Sequence, residues 1–190
     1  MFSYDMITLS CSALMDLDLE AAQHVLVLED SVVDPVTDEL EGLVDRLMRS
    51  DLSQAQQRRS FQIKNLLVDI ERVGDMAEDI AQYAQERADH DIPFTDEAIE
   101  TLKHLCGCAH SNYQQALQAF HERDRALAER VCEVESEFDS LYLQARQRHI
   151  RRLEAGTCQP EADVIFTETL RLLERISDHA DNIGVSVARN

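Results

Sequence analysis

Tryptophan is absent from this 190-residue chain, and it holds only three prolines and five glycines. So little turn material argues against a fold with many connections. Basic residues are also scarce, 18 against 37 acidic ones, for a net charge of −19. No Lys/Arg run interrupts the acidity, so a nucleic-acid partner is excluded, because a phosphate backbone would be repelled. The same balance opposes docking on anionic lipid, although a protein partner in the membrane remains open. Cations are the natural small partners. No apolar run approaches the roughly 18 residues of a membrane span, which speaks against direct membrane insertion, and no targeting segment is visible. The five cysteines, Cys11, Cys106, Cys108, Cys132 and Cys158, form no CxxC pair. With no secretion signal they are expected to be reduced thiols in a cytoplasmic protein, mostly acting as small core hydrophobes.

What is abundant is helix-forming: Ala, Leu, Glu, Gln and Arg, joined by Asp. An all-α chain is expected, as one domain or two small units sharing a core, burying roughly 70% of its unfolded surface. Six helices can be drawn: the N-terminus to about Met15, Leu19 to Arg49, Gln54 to Ala88, Thr95 to Phe120, Asp124 to Glu154, and one from about Pro160. Thr95 is a good N-cap, with Asp96 and Glu97 in the dipole-favoured first turn. Ala155-Gly156 is a C-terminal stop, and Pro160 suits a first turn. Leu66, Ile70, Val73, Ala77, Ile80 and Ala84 step by four and three, as do Val131, Val134, Phe138, Leu141 and Ala145. Such stripes predict nearly antiparallel bundled helices. Pro35 lies inside the second helix and is expected to kink it.

Two segments repeat each other. At an offset of 103, Glu71 falls on Glu174, Arg72 on Arg175, Asp75 on Asp178 and Glu78 on Asp181, while Ile70, Val73, Ala77 and Ile80 fall on Leu173, Ile176, Ala180 and Ile183. At an offset of 105, Asp30 and Asp34 fall on Glu135 and Asp139. The expected architecture is therefore two tandem three-helix bundles, 1–90 and 91–190, related by internal duplication. The offset of 105 carries Met1 onto Cys106. The first helix is then about three turns shorter than its counterpart, through drift or because the chain was cut from something longer.

Residues four apart share a helix face, so each acid-x-x-x-acid pair aims two carboxylates one way. If the second and third helices of each half pack side by side, Asp30, Asp34, Glu71 and Asp75 converge in one half. Glu135, Asp139, Glu174 and Asp178 converge in the other. Such all-oxygen sets suit Mg, Mn, Ca or iron. A single acid pair among 37 acidic residues is ordinarily a solvated face, and Arg72 and Arg175 could neutralise these as surface ion pairs. The joint recurrence of four pairs at equivalent positions favours the cation. His179 could join a cluster, but its equivalent in the first half is Met76.

The segments Asp69–Ile80 and Leu172–Ile183 resemble the signature helices of the PhoU family, phosphate-transport regulatory proteins. The Leu-Glu-Arg-Ile-Ser-Asp-His-Ala-Asp-Asn-Ile run from Leu173 to Ile183 is especially close. The resemblance covers essentially the whole chain. It implies two similar three-helix bundles and multinuclear metal clusters, of iron or of Mn, Zn, Mg or Ca. Glu71, Asp75, Glu174 and Asp178 would be the leading ligands, seconded by Asp30, Asp34, Glu135 and Asp139. No organic cofactor and no enzymatic activity are implied. The implied role is regulation of phosphate uptake at the inner face of the plasma membrane, through a membrane phosphate transporter in the same or a separate chain. The short first helix favours the cytoplasmic domain of a sodium/phosphate cotransporter. The other context is a free-standing regulator of the phosphate importer and its sensor kinase, and a homodimer is compatible with either. A carboxylate di-iron protein is the competing class, but its Glu-x-x-His pairs are missing at these motifs. A third class is a helical interaction module whose acidic face serves solubility alone.

Overall fold

The computed structural model describes residues 2–189, leaving the expected helical start at Met1 outside the described residues. Helices account for every element among them: α1 (Phe2–Asp16), α2 (Leu19–Leu28), α3 (Asp34–Met48), α4 (Gln54–Asp89), α5 (Asp96–Glu122), α6 (Arg125–Glu154) and α7 (Pro160–Ala188). A π-helical turn, Glu29–Val33, joins α2 to α3 without a break, so the two form one rod. The six rods match the six helices expected from the sequence within a residue or two.

Local chemistry sets the boundaries. Asp18 accepts from the Ala21 amide at 3.0 Å to start α2, and Asp124 accepts from Leu127 at 3.0 Å to start α6. Ser53 and Gln56 form a reciprocal capping box at α4, while Thr95 caps α5 through the Ala98 amide. Gly156, at φ +66°, takes the left-handed position after α6, where a side chain would be strained.

The expected kink at Pro35 takes the form of the π turn. Proline has no N–H for the carbonyl one turn back, and its ring clashes there. The chain instead closes a wider ring, with the Asp34 amide donating to the Glu29 carbonyl. Thr37 Oγ1 then donates to the Val33 carbonyl at 2.8 Å.

The α1 helix, the α2–α3 rod and α4 pack on one another, as do α5, α6 and α7; α4 against α7 and α1 against α5 join the two groups. The apolar stripes form one continuous core, with Val73, Ala77, Ile80, Val131, Phe138, Ile176, Ala180 and Ile183 buried. Polar bonds also cross between the groups. Ser3 Oγ meets the buried Tyr113 hydroxyl at 3.1 Å, Gln62 donates to the Ser186 carbonyl at 2.7 Å, and His179 Nδ1 lies 2.8 Å from Asp69 Oδ1. Cys11 of α1 and Cys106 of α5 form a disulfide with Cα atoms 6.4 Å apart. Five reduced thiols were expected, but helix packing brings this pair together across 95 residues of sequence.

Arg87 closes the open end of the first group. Its buried guanidinium donates to the carbonyls of Leu14 (2.5 Å), Met15 (3.2 Å) and Ile92 (3.0 Å), and it stacks 4.4 Å over the Phe94 ring. The bonds to Leu14 and Met15 satisfy carbonyls at the end of α1 that have no intrahelical partner, and the one to Ile92 ties in the α4–α5 connection. Arg87→Met should therefore destabilise the chain by about 2–4 kcal/mol in urea unfolding, since buried carbonyls would lose their donors. An Arg58→Met control should stay within about 0.5 kcal/mol of the parent.

Candidate metal centre

The carboxylates of Glu29, Asp34 and Asp75 bring one oxygen each within 4.8 Å of one another, where the π turn faces α4. Glu29 and Asp34 are five residues apart, and a π turn places i and i+5 on one face as an α-helix places i and i+4. Asp75 comes from α4, so the cluster bridges two rods. Glu29 sits deepest, 3% exposed, with neither carboxylate oxygen hydrogen-bonded. Its room is made by Gly74: a Cβ there would lie 2.6 Å from Glu29 Oε2.

An acidic group out of water, beside other acids and without a donor, holds its proton. The Glu29 pKa rises from 4.5 to about 8, chiefly by burial and then by the charges of Asp34 and Asp75. Burial likewise raises Asp75, against the opposing charge of Arg72, whose Nη1 stands 3.5 Å away. Glu71 and Glu78, half-buried on the same helix, are raised mainly by burial.

Asp34 and Asp75, expected as ligands, thus meet in the cluster. Asp30 does not: it is exposed, and Glu29 takes the inward place expected for it. The extra residue in the π turn is the reason. Glu29 and Asp34 enclose four residues where Glu135 and Asp139 enclose three, so the two pairs are equivalent once the inserted residue is allowed for. Glu71 flanks the trio on α4 one turn before Asp75.

In the other half, Glu135 and Glu174 are half-buried while Asp139 and Asp178 are exposed. No three of them gather as tightly as the first trio. They nevertheless feel each other. Burial first, then Asp139, Asp181 and Asp178, raise Glu135; burial, Asp178 and Asp139 raise Glu174; burial and Asp139 raise Asp178. Ser177, buried, stands where the offset of 103 would place a Gly74 equivalent, so this half has a side chain where the first has none. Cys132 borders this set, its thiol pushed up to about 12 by burial and by a hydrogen bond to Asp181. His179 joins neither cluster, being engaged with Asp69.

Fold and site together define a helical-bundle protein with carboxylate clusters set between paired rods. A family model described as PhoU domain matches residues 2–84 and 102–187, and the chain belongs to the PhoU family. It is 29% identical over 159 residues to a Thermotoga maritima protein named phosphate-specific transport system accessory protein PhoU homolog 1, covering 83% of this chain and 68% of that one. A Pseudomonas aeruginosa homolog is 27% identical over 173 residues, covering 91% and 71%. The crystal structure of PhoU from Pseudomonas aeruginosa superposes with a TM-score of 0.89 at 25% identity, covering 97% and 88%. A Streptococcus pneumoniae phosphate transport system regulatory protein PhoU, at 18% identity and a TM-score of 0.85, shares the fold.

The Glu29 shift makes a signed prediction for the metal-free chain. Between pH 4.5, its unfolded value, and about 8, the folded state holds a proton the unfolded state lacks, so stability falls as pH rises through that window and levels off above it. Glu29→Gln keeps the shape and removes the titration. In chelator-treated thermal melts, Glu29→Gln should match the parent near pH 5 and overtake it progressively toward pH 8. An advantage that does not grow with pH would show that Glu29 is not held protonated.

Proposed function

We propose that this chain is a regulatory domain of phosphate transport that binds metal cations between the α2–α3 rod and α4, and acts through a membrane phosphate transporter rather than by catalysis. The role follows from its place in the PhoU family and from relatives named as accessory proteins of a phosphate-specific transport system. The cation follows from one observation: the Glu29 carboxylate is buried and unpartnered, facing two further carboxylates. A cation resolves the repulsion within that set and replaces the missing donors. Three carboxylates offering only oxygen suit Mg, Mn, Ca or iron, and Glu71 and Glu78 nearby could hold a second ion of a multinuclear cluster. When bound, the metal supplies a charge bridge between two rods. Glu135, Asp139, Glu174 and Asp178 form the second, looser set, which ion binding would draw together.

A partner has a surface to meet. Val36, Leu40, Leu43 and Leu47 line one side of α3 at 41–50% exposure, a contiguous apolar row on an outer helix. Exposed Glu39 and Arg46, one charge of each sign, border it on the solvent side, so an apolar segment is its complement. The row begins directly after the π turn, so on this reading the metal and partner sites share one rod. Of the two contexts implied by the family resemblance, the accessory protein of a separate importer is the one that the relatives' names support, rather than the domain of a sodium/phosphate cotransporter. No helix among the described residues is long and apolar enough to cross a membrane. On this reading the chain meets the membrane through its partner, on the cytoplasmic face.

Elemental analysis after exposure to Mn, Fe, Zn, Mg and Ca tests the cation. Metal should be retained by the parent, reduced in Glu29→Gln/Asp34→Asn/Asp75→Asn, and reduced further when Glu135, Asp139, Glu174 and Asp178 are also made amides. Leu40→Asp/Leu43→Asp should keep its metal while losing capture of the cognate phosphate transporter from membrane vesicles. Metal content indifferent to all these amides would sink the cation reading.

A further inference from the structure

A cleft of about 600 Å³ opens where the start of α4, the α5–α6 turn and the end of α7 meet. On a chain of net charge −19 its lining carries three arginines, Arg59, Arg123 and Arg125, together with Gln56, Gln62 and Val187, and no carboxylate. Arg59 is held in place: its guanidinium lies 4.3 Å over the Phe120 ring, and Nη1 donates to Gln62 Oε1 at 3.4 Å. Among the described residues neither Arg59 nor Arg123 makes an ion pair, and Arg125 pairs only with exposed Glu129 on its own helix, at 3.4 Å. With 37 acidic residues available, two unpaired guanidinium groups sharing one recess are unexpected. Burial, and then the like charge of Arg123, hold the Arg59 pKa below its usual value. An anion between them would remove that repulsion.

We propose that this cleft binds a small anion bearing phosphate groups, with Arg59 and Arg123 donating to its oxygens and Arg125 adding charge from the start of α6. The planar guanidinium fork matches phosphate geometry in a way that a lysine would not. The volume falls within the roughly 300–1,000 Å³ of small-molecule sites and exceeds what one phosphate fills, so the expected ligand is pyrophosphate or the phosphate chain of a nucleotide. The site is separate from the carboxylate cluster: Arg59 precedes Asp75 by 16 residues of α4, about 24 Å of helix. It stands or falls independently of the metal reading.

Calorimetric titration of the full chain with pyrophosphate, ATP and inorganic phosphate tests the proposal. A chelator in every arm keeps metal-bridged binding at the carboxylates out of the signal, and low salt preserves charge attraction. Pyrophosphate or ATP should bind, with affinity reduced about tenfold or more by Arg59→Gln and by Arg123→Gln, as loss of a charged hydrogen bond requires. Inorganic phosphate binding as tightly, with the same arginine dependence, would support the same site with a single phosphate as ligand. Because Arg59 also packs on Phe120, Arg123→Gln in the exposed turn decides the matter should Arg59→Gln fail to fold. No heat from any of the three anions at millimolar concentration would overturn the proposal, as would binding unchanged in Arg123→Gln.

Discussion

A carboxylate removed from water with no donor to meet it is costly enough that it either keeps its proton or takes a cation. Glu29 is such a group, and much of the first half of this chain is arranged around it. The π turn rotates it inward, Pro35 enforces the turn from one residue past Asp34, and Gly74 on α4 leaves the hollow it occupies. Remove the turn and Glu29 moves off the Asp34 face; give residue 74 a side chain and the carboxylate is displaced. Both features break local helix preference, since an interior glycine costs about 1 kcal/mol relative to alanine and π geometry is rare. Departures of that kind concentrate where function requires them.

The two halves solve the same problem differently. The first has a deep acid, a tight trio and a glycine behind it. The second has an unbroken helix carrying Glu135 and Asp139, a serine where the glycine would fall, and a looser set of acids. A cation site that is already assembled binds with less reorganisation than one that must be drawn together. On the proposed cation reading, the first cluster is the tighter site. On the same reading, the second is the one that a bound ion would draw together.

Nearly all of the fold was legible in the sequence, because long amphipathic helices advertise themselves through apolar spacing and caps. Thr95, Pro160 and Gly156 each mark a boundary where the structure has one. The site was legible in part. Asp34 and Asp75 were reached through i,i+4 spacing, but Glu29 was not, because that rule fails once a π turn adds a residue. Pro35 and the five-residue interval between Glu29 and Asp34 were the available signals. What remained hidden depends on tertiary placement: the Cys11–Cys106 disulfide joins residues 95 apart, and the arginine cleft draws one arginine each from α4, the α5–α6 turn and α6.

The central claim is that Glu29, Asp34 and Asp75 hold a cation between two rods. Anomalous diffraction from crystals soaked in manganese addresses it at the level of atoms. The account predicts a strong peak within coordination distance of Glu29, Asp34 and Asp75, absent from Glu29→Gln crystals soaked in the same way. Anomalous density confined to exposed acids elsewhere, or unchanged in Glu29→Gln, would contradict it.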